Sequence, residues 1–443
     1  MRNWKFMLLL GILLGLGKLT AGDEFNTERL PIGNPQTKYD FGAVQLNQFL
    51  DTHANTVLSL DQLIERLQGF QVIMLGESHT NEHHHQMQLD IIRALTESGT
   101  KICLALEMFT PAQNEALNDY VTGKITEAEF LDRSNYFNTW GHNYRYYQPI
   151  FDYARSRQIR LYGINTRQEF TSKIGRSGIG SLTAEERSQL PPIDTSNVEH
   201  RFYIKATMEG MDAVSPAAFR NIYTAQCLWD AAMGEGAIHV AQQNPDARVI
   251  ILAGSGHVAY NLGIGRIIQQ RSNLQVASVL AVDIPDTIAE SAMMKVKKSL
   301  EQKPPAPAGD KPGDAPKMPP MAAMHGSAGS QAAPQKIVVR SLADFIYGVP
   351  EVKQEKYPSF GFSVDEKNDR GFRIKRVLPE TIAEKQGLLV GDLLLAVDGK
   401  TFSNMSQLKK YLSFKNWNDE VIFQLLRQDK TIDLRFVIKP EEK

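Results

Sequence analysis

Residues 71–85 hold the densest chemistry in this chain: Gly76-Glu77-Ser78-His79 follows an apolar run, and His83, His84 and His85 open the next segment. Four of the ten histidines thus fall within seven positions. A neutral imidazole is a good ligand for iron, zinc and similar metals. The dipole at a helix N-terminus disfavours the charged ring and keeps it available as a ligand. The spacing Gly-x-x-His recurs at Gly254 to His257, and Glu107 stands at a third apolar run's end. In a parallel sheet such strand ends share one edge, so His79, Glu107 and His257 are expected to face one cleft. Two imidazoles and a carboxylate can hold a divalent transition metal or do acid–base work, with Glu77 joining them in a catalytic reading.

The elements that would position these groups follow from periodicity. A short helix is expected over Ser59 to Leu67, a strand over Gln71 to Leu75 and a helix from Glu82 to Glu97. Further strands are expected at Lys101 to Leu106, Ile159 to Ile164, Arg248 to Leu252 and Gln275 to Val282. Pro216 should start a long helix to Gln243, and another helix should run from Val258 to Gln270. Capping boxes stand at Thr110 with Gln113 and at Thr126 with Glu129. Residues 23–55 read as a polar lead-in and residues 171–214 as an irregular insertion. Short apolar strands alternating with helices argue for an α/β domain, a parallel sheet in three layers.

The 443 residues suffice for two or three domains, and 49 basic against 50 acidic side chains leave no nucleic-acid footprint. Cys103 and Cys227 are the only cysteines, each in an apolar context, so disulfides do not frame the fold. Arg2 and Lys5 precede an apolar run from Phe6 to Leu16, with small residues near Ala21. Residues 1–21 therefore read as a signal peptide, which places the mature protein in the periplasm or outside the cell. The run is too short to span a bilayer comfortably, so tethering by an uncleaved signal is the alternative, and no lipidation cysteine follows it. The main domain is expected over 22–290. Residues 291–336 contain eight prolines and no apolar period, and read as a flexible linker in which Met321, Met324 and His325 could meet a soft metal. A small α+β domain is expected over 337–443.

The motif from Leu75 to His84 resembles the signature of the ChaN family of haem-binding, iron-uptake proteins. Glu107-Met108-Phe109, Trp140 with Tyr147-x-Pro149-Ile150, Gln226-x-Leu228-Trp229-Asp230 and Gly254-x-Gly256-His257 extend that resemblance over roughly 55–285. It implies a haem held by tyrosine or histidine, in pairs between the subunits of a homodimer. Tyrosinate suits ferric haem. Tyr147 is the first candidate and Tyr144 the second, with His83, His84 and Trp140 near the cofactor, Phe137 covering a porphyrin face, and Arg145 or Arg167 on its propionates. The wider superfamily includes erythromycin-esterase-like hydrolases and the Tiki proteases, whose paired Gly-x-x-His motifs and Glu serve a metal-dependent site. The resemblance thus implies two functions, haem binding and metal-dependent hydrolysis.

The last domain resembles a PDZ domain of the bacterial export type. Phe360-Gly361-Phe362 matches the carboxylate-binding loop, and Leu378 to Ala383, Gly387-Leu388 and Gly391 to Leu394 match the elements that follow. The resemblance implies capture of a protein or peptide C-terminus by the loop, with the peptide adding a strand.

Overall fold

A computed structural model describes residues 26–208, 214–285, 334–365 and 367–440. The signal at 1–21 and Met321, Met324 and His325 lie outside the described residues. Among those described, no helix is long and apolar enough to cross a membrane.

Among the described residues fifteen strands follow one another: β1 Phe41–Gln45, β2 Phe49–Asp51, β3 Thr56–Leu58, β4 Val72–Glu77, β5 Ile102–Leu106, β6 Leu161–Gly163, β7 Arg248–Gly254, β8 Val276–Ile284, β9 Gln335–Val339, β10 Phe345–Pro350, β11 Phe362–Val364, β12 Phe372–Val377, β13 Leu393–Val397, β14 Glu420–Arg427 and β15 Lys430–Val437. The main sheet has eight strands in the order β3-β2-β10-β8-β4-β7-β5-β6. From β10 to β6 every neighbouring pair is parallel. The six residues of β4 are all buried, as a strand covered on both faces requires. Val72 and Met74 enter one apolar layer with Tyr223 and Ile238 of the helix Pro216–Gln243. Ile73 and Leu75 enter the other, with Leu89 and Ile91 of the helix Glu82–Glu97. Side chains alternate across a strand, so the run Val72 to Leu75 serves both cores.

The sheet departs from an all-parallel one at its edge. Strand β2 lies in the supposed polar lead-in and β3 just after it; β2 runs antiparallel to β10, and β3 antiparallel to β2. The expected start of the second domain at 337 is also corrected. Strand β9 pairs with β1, and β10 inserts between β2 and β8. The main domain therefore closes only at Pro350. The partly buried Asp344 carboxylate accepts from the amide and hydroxyl of Ser278 at 2.8 Å and fixes the start of β10 on β8.

Two further expectations change. The helix expected from Val258 to Gln270 is broken: Tyr260 and Asn261 take φ of 61° and 54°, and the helix resumes at Ile264–Arg271. The break lets the Tyr260 hydroxyl donate to Thr27 O at 2.6 Å and accept from Leu30 N at 3.1 Å. Residues 171–214 are not irregular throughout, since helices occupy Gln168–Ser177, Ala184–Ser188 and Val198–Thr207. Their apolar positions pack mainly as Phe170, Ile174 and Leu182 against Ala225 and Leu228.

Strands β11 to β15 form a separate five-stranded antiparallel sheet in sequence order, with β11 at one edge. Helices Ile382–Lys385 and Met405–Ser413 pack on it. Gly361 sits before β11 at φ +75°, where a Cβ would collide with the Thr381 side chain. Only glycine fits that turn.

Candidate functional site

The site lies at the carboxyl ends of β4, β7 and β5, which are neighbours in the sheet. Glu77 is the last residue of β4, and the turn after it is held by two side chains. Asn81 caps the helix Glu82–Glu97 through the His83 amide at 2.9 Å. His84 Nδ1 accepts from Ser78 N at 2.9 Å, and its Nε2 lies 3.4 Å from Asp283 Oδ1. His84 therefore shapes the turn and is not a free donor. Among the described residues no side-chain partner holds His83, which is half-buried at the helix start.

Glu77 organises the first half of the site. Its Oε1 lies 2.8 Å from His79 Nδ1 and accepts the Tyr147 hydroxyl at 2.6 Å. Its Oε2 pairs with His85 Nδ1 at 3.2 Å without hydrogen-bond geometry. Burial alone would raise the Glu77 pKa, but His85 and His79 reverse this and hold the carboxyl well below its usual range. Burial likewise opposes the charged His85, and Glu77 outweighs it and moves that histidine up. Burial, then the Glu77 charge, pushes the Tyr147 phenol well above 10.

The second half is built on His257. Its Nε2 lies 3.4 Å from Glu107 Oε1, and its Nδ1 lies 2.6 Å from Asp230 Oδ1. Glu107 Oε2 also accepts from Gly254 N at 2.6 Å. Burial would lower the His257 pKa, but Glu107 and Asp230 together raise it to about 10. The ring is therefore charged at neutral pH. Behind it, Asp230 Oδ2 is 3.4 Å from His200 Nε2, and His200 Nδ1 is 3.2 Å from the Tyr223 hydroxyl.

The halves meet at Gly254. A Cβ there would come 2.9 Å from His79 Nε2 and 3.6 Å from Glu107 Oε2. His79 Nε2 is buried and has no partner. Residues 140–147 close over it. The Trp140 ring lies 5.0 Å from His79 edge-on, and the His142 ring lies 4.4 Å away. Burial, with the His79 imidazole alongside, pushes His142 down to about 3, so its ring is neutral.

Glu77, His79, Glu107 and His257 thus meet as the strand ends implied, with Tyr147 and Trp140 added from the aromatic segment. Tyr144 stays outside: its hydroxyl points to Glu127 Oε2 at 3.4 Å and its ring packs on Phe130 and Phe151. Phe137 is core, packed edge-on against Tyr136. Arg145 is committed to the last domain, and Arg167 lies over the Phe170 ring at 4.4 Å. His79, Glu107 and His257, expected as a metal set, are brought together around Gly254. Both His257 nitrogens face carboxylates, Glu107 at Nε2 and Asp230 at Nδ1. Among the described residues no group of three or more His, Cys, Asp or Glu is arranged for a metal ion.

Sequence reasoning missed His85, His142, Gln226, Asp230 and His200 as members of the site. Gln226 and Asp230 stand four apart on the helix Pro216–Gln243, a spacing that puts them on one face. Both reach His257 Nδ1, Gln226 at 3.0 Å. Nothing in the sequence signals His200.

The arrangement offers one unpaired imidazole nitrogen backed by a carboxylate, the neutral imidazole of His142, and a phenol already bonded to that carboxylate. Such a set suits proton transfer or donation to iron.

Residues 63–268 match the family described as "Haem-binding uptake, Tiki superfamily, ChaN", and residues 351–426 match the PDZ domain. A comparison with curated proteins gives no match. Among solved structures, cofacial heme-bound ChaN of Campylobacter jejuni is 20% identical over 53% of this chain and 90% of that one, with a TM-score of 0.43. An erythromycin esterase mutant in its open conformation is 15% identical over 56% and 78% of the two chains, with a TM-score of 0.34. The HtrA-type protease AlgW with a decapeptide is 16% identical over 20% of this chain and 30% of that one, with a TM-score of 0.18.

Proposed function

From a chain that carries a ChaN domain of the Tiki superfamily over 63–268 and a PDZ domain over 351–426, we propose an exported haem-binding protein of iron uptake or trafficking. Its PDZ domain would recruit a protein or peptide C-terminus. The observation that carries the haem reading is the donor set inside the matched segment. His79 Nε2 is buried without a partner, His142 is held neutral, and the Tyr147 phenol stands behind them. These donors fit ferric iron chemically. They do not stand open: Tyr147 and His79 are about fully buried under residues 140–147, so a porphyrin enters only if that segment moves. Bound there, haem would supply a redox-active or transportable iron. His79, His142 or Tyr147 would hold the metal, and Trp140, beside His79, would shield it from water.

Titration of the purified full chain with ferric haem tests this reading. A saturable change in the Soret band is expected, altered in His79→Ala and in Tyr147→Phe. Absence of any saturable change rejects haem binding.

A second reading has its own observation. His79, backed by Glu77 and facing Glu107 across Gly254, has the layout of a general base with its orienting carboxylate. A hydrolase of this kind uses water activated at Nε2, with the PDZ domain selecting substrates. Ester or peptide hydrolysis lost in His79→Ala and in Glu77→Gln supports it, and an inert wild-type protein removes it.

A further inference from the structure

The segment that closes the site has two sides, and the PDZ domain holds the other one. Trp140, His142 and Tyr147 face His79 and Glu77. Asn143 and Arg145, between them, face the end of the PDZ helix Met405–Ser413. Asn143 Nδ2 donates to Ser413 O at 2.7 Å. The Arg145 guanidinium donates to Lys415 O at 2.9 Å and to Asn416 Oδ1 at 2.8 Å. Carbonyls at a helix end have no partner within the helix and carry partial negative charge, so a cation is a favourable cap. Here Ser413 O, the last carbonyl of the helix, takes its donor from Asn143 of another domain, and Arg145 holds the turn just beyond it.

Tyr357, just ahead of the PDZ sheet, completes the clasp. The Arg145 guanidinium lies 3.8 Å from the centre of its ring. The same ring packs edge-on against Tyr146 at 4.8 Å, and Tyr146 stacks on His85 at 5.6 Å. His85 in turn pairs with Glu77. Only Tyr146 and His85 separate the PDZ domain from the carboxylate at the centre of the site. Ion pairs at Lys410 with Asp132 and Lys356 with Glu82 flank the clasp.

We propose that residues 140–147 couple the PDZ domain to access at the buried site, so that a peptide C-terminus bound by that domain loosens the clasp and uncovers His79. The coupling rests on the peptide-binding reading of the PDZ domain. Its mechanical basis is the helix Met405–Ser413. Leu408 and Leu412 of that helix share an apolar cluster with Phe360 of the carboxylate loop, with Phe362 packed against it. Strand β11, which follows the loop, is an edge strand with no neighbour on its outer side among the described residues. A peptide added along β11 lies against the cluster that seats the helix, and moving the helix moves the carbonyls that Asn143 and Arg145 hold. A ligand shifts such an equilibrium only by its unequal affinity for the docked and undocked forms, and the clasp supplies that inequality.

Hydrogen exchange of the full chain, read on peptides spanning 140–147, tests the proposal. The probes are a synthetic decapeptide with apolar last residues and a free carboxylate, and its C-terminally amidated twin. Calorimetry records whether each binds. The free-acid peptide and the substitution Arg145→Ala should each speed exchange over 140–147 by about tenfold or more, as losing charge-assisted hydrogen bonds implies. The helix Glu82–Glu97 should keep its protection, and the amidated peptide should have no effect. Unchanged exchange in Arg145→Ala, or under a peptide whose binding is measured, overturns the coupling alone. A free-acid peptide that gives no binding heat overturns the PDZ reading and the proposal with it. Asn143→Ala is a second variant with the same expected direction.

Discussion

Asp230→Asn replaces a carboxylate 2.6 Å from His257 Nδ1 with an amide of the same shape. The fold sees almost no change in volume, so the effect is electrostatic. His257 is buried and its pKa is raised to about 10. Against an ordinary value near 6.5, that rise corresponds to roughly 5 kcal/mol of interaction favouring the charged ring. Glu107 and Asp230 share it, so losing Asp230 should cost about 2–3 kcal/mol, within the range for breaking a buried pair. The folded pKa lies above the unfolded one. The contribution is therefore complete below about pH 6.5 and is lost as pH rises through about 10. The penalty in Asp230→Asn should accordingly be largest near pH 6 and shrink towards about pH 9.5. Trp229, whose ring is 6.2 Å from His257, gives a local fluorescence signal for urea unfolding of this domain. A penalty of equal size at both pH values would refute the reasoning, because it would show that His257 is not held charged by Asp230.

Other outcomes follow from the same geometry. Gly254→Ala puts a methyl 2.9 Å from His79 Nε2, so the domain should lose about 1–3 kcal/mol and the free nitrogen should be blocked; unaltered thermal unfolding and an unaltered Soret titration would contradict this. Tyr147→Phe removes a hydrogen bond to a buried carboxylate and should cost about 1–3 kcal/mol in chemical denaturation. The same variant should lose most haem affinity, and a destabilised protein with normal haem spectra would assign Tyr147 to Glu77 alone. His142 should keep a neutral ring down to about pH 4, which proton NMR of its ring signals can follow.

Much of the site was legible because its backbone positions follow from pattern. The helix Glu82–Glu97 and the helix Pro216–Gln243 have the bounds their caps and periods imply, and β4 is the apolar run that ends at Glu77. Strand ends in a parallel sheet share an edge, which is why His79, Glu107 and His257 could be grouped without coordinates. Side-chain direction was not legible. Three adjacent histidines read alike, yet His84 folds the turn, His85 pairs with Glu77 and His83 stays near the surface. Tyr144 and Tyr147 differ in the same way, one in an aromatic cluster and the other on the central carboxylate. Strands β2, β3, β9 and β10 are three to six residues long, and their partners are far away in sequence. Local pattern carries no information about such pairings.

The split of the main domain constrains how the molecule can be made and cut. β10 supplies six register partners to β8, from Phe345 opposite Val279 to Pro350 opposite Ile284. During synthesis β8 must wait for some sixty residues before the strand that covers it has left the ribosome. Until then β8 presents an unpaired edge, the kind that invites pairing with other chains. A fragment ending near residue 290 retains His79, Glu107, Asp230 and His257 yet leaves that edge open permanently. The shortest self-sufficient piece of the first domain therefore ends at Pro350, where the chain hands over to the PDZ domain.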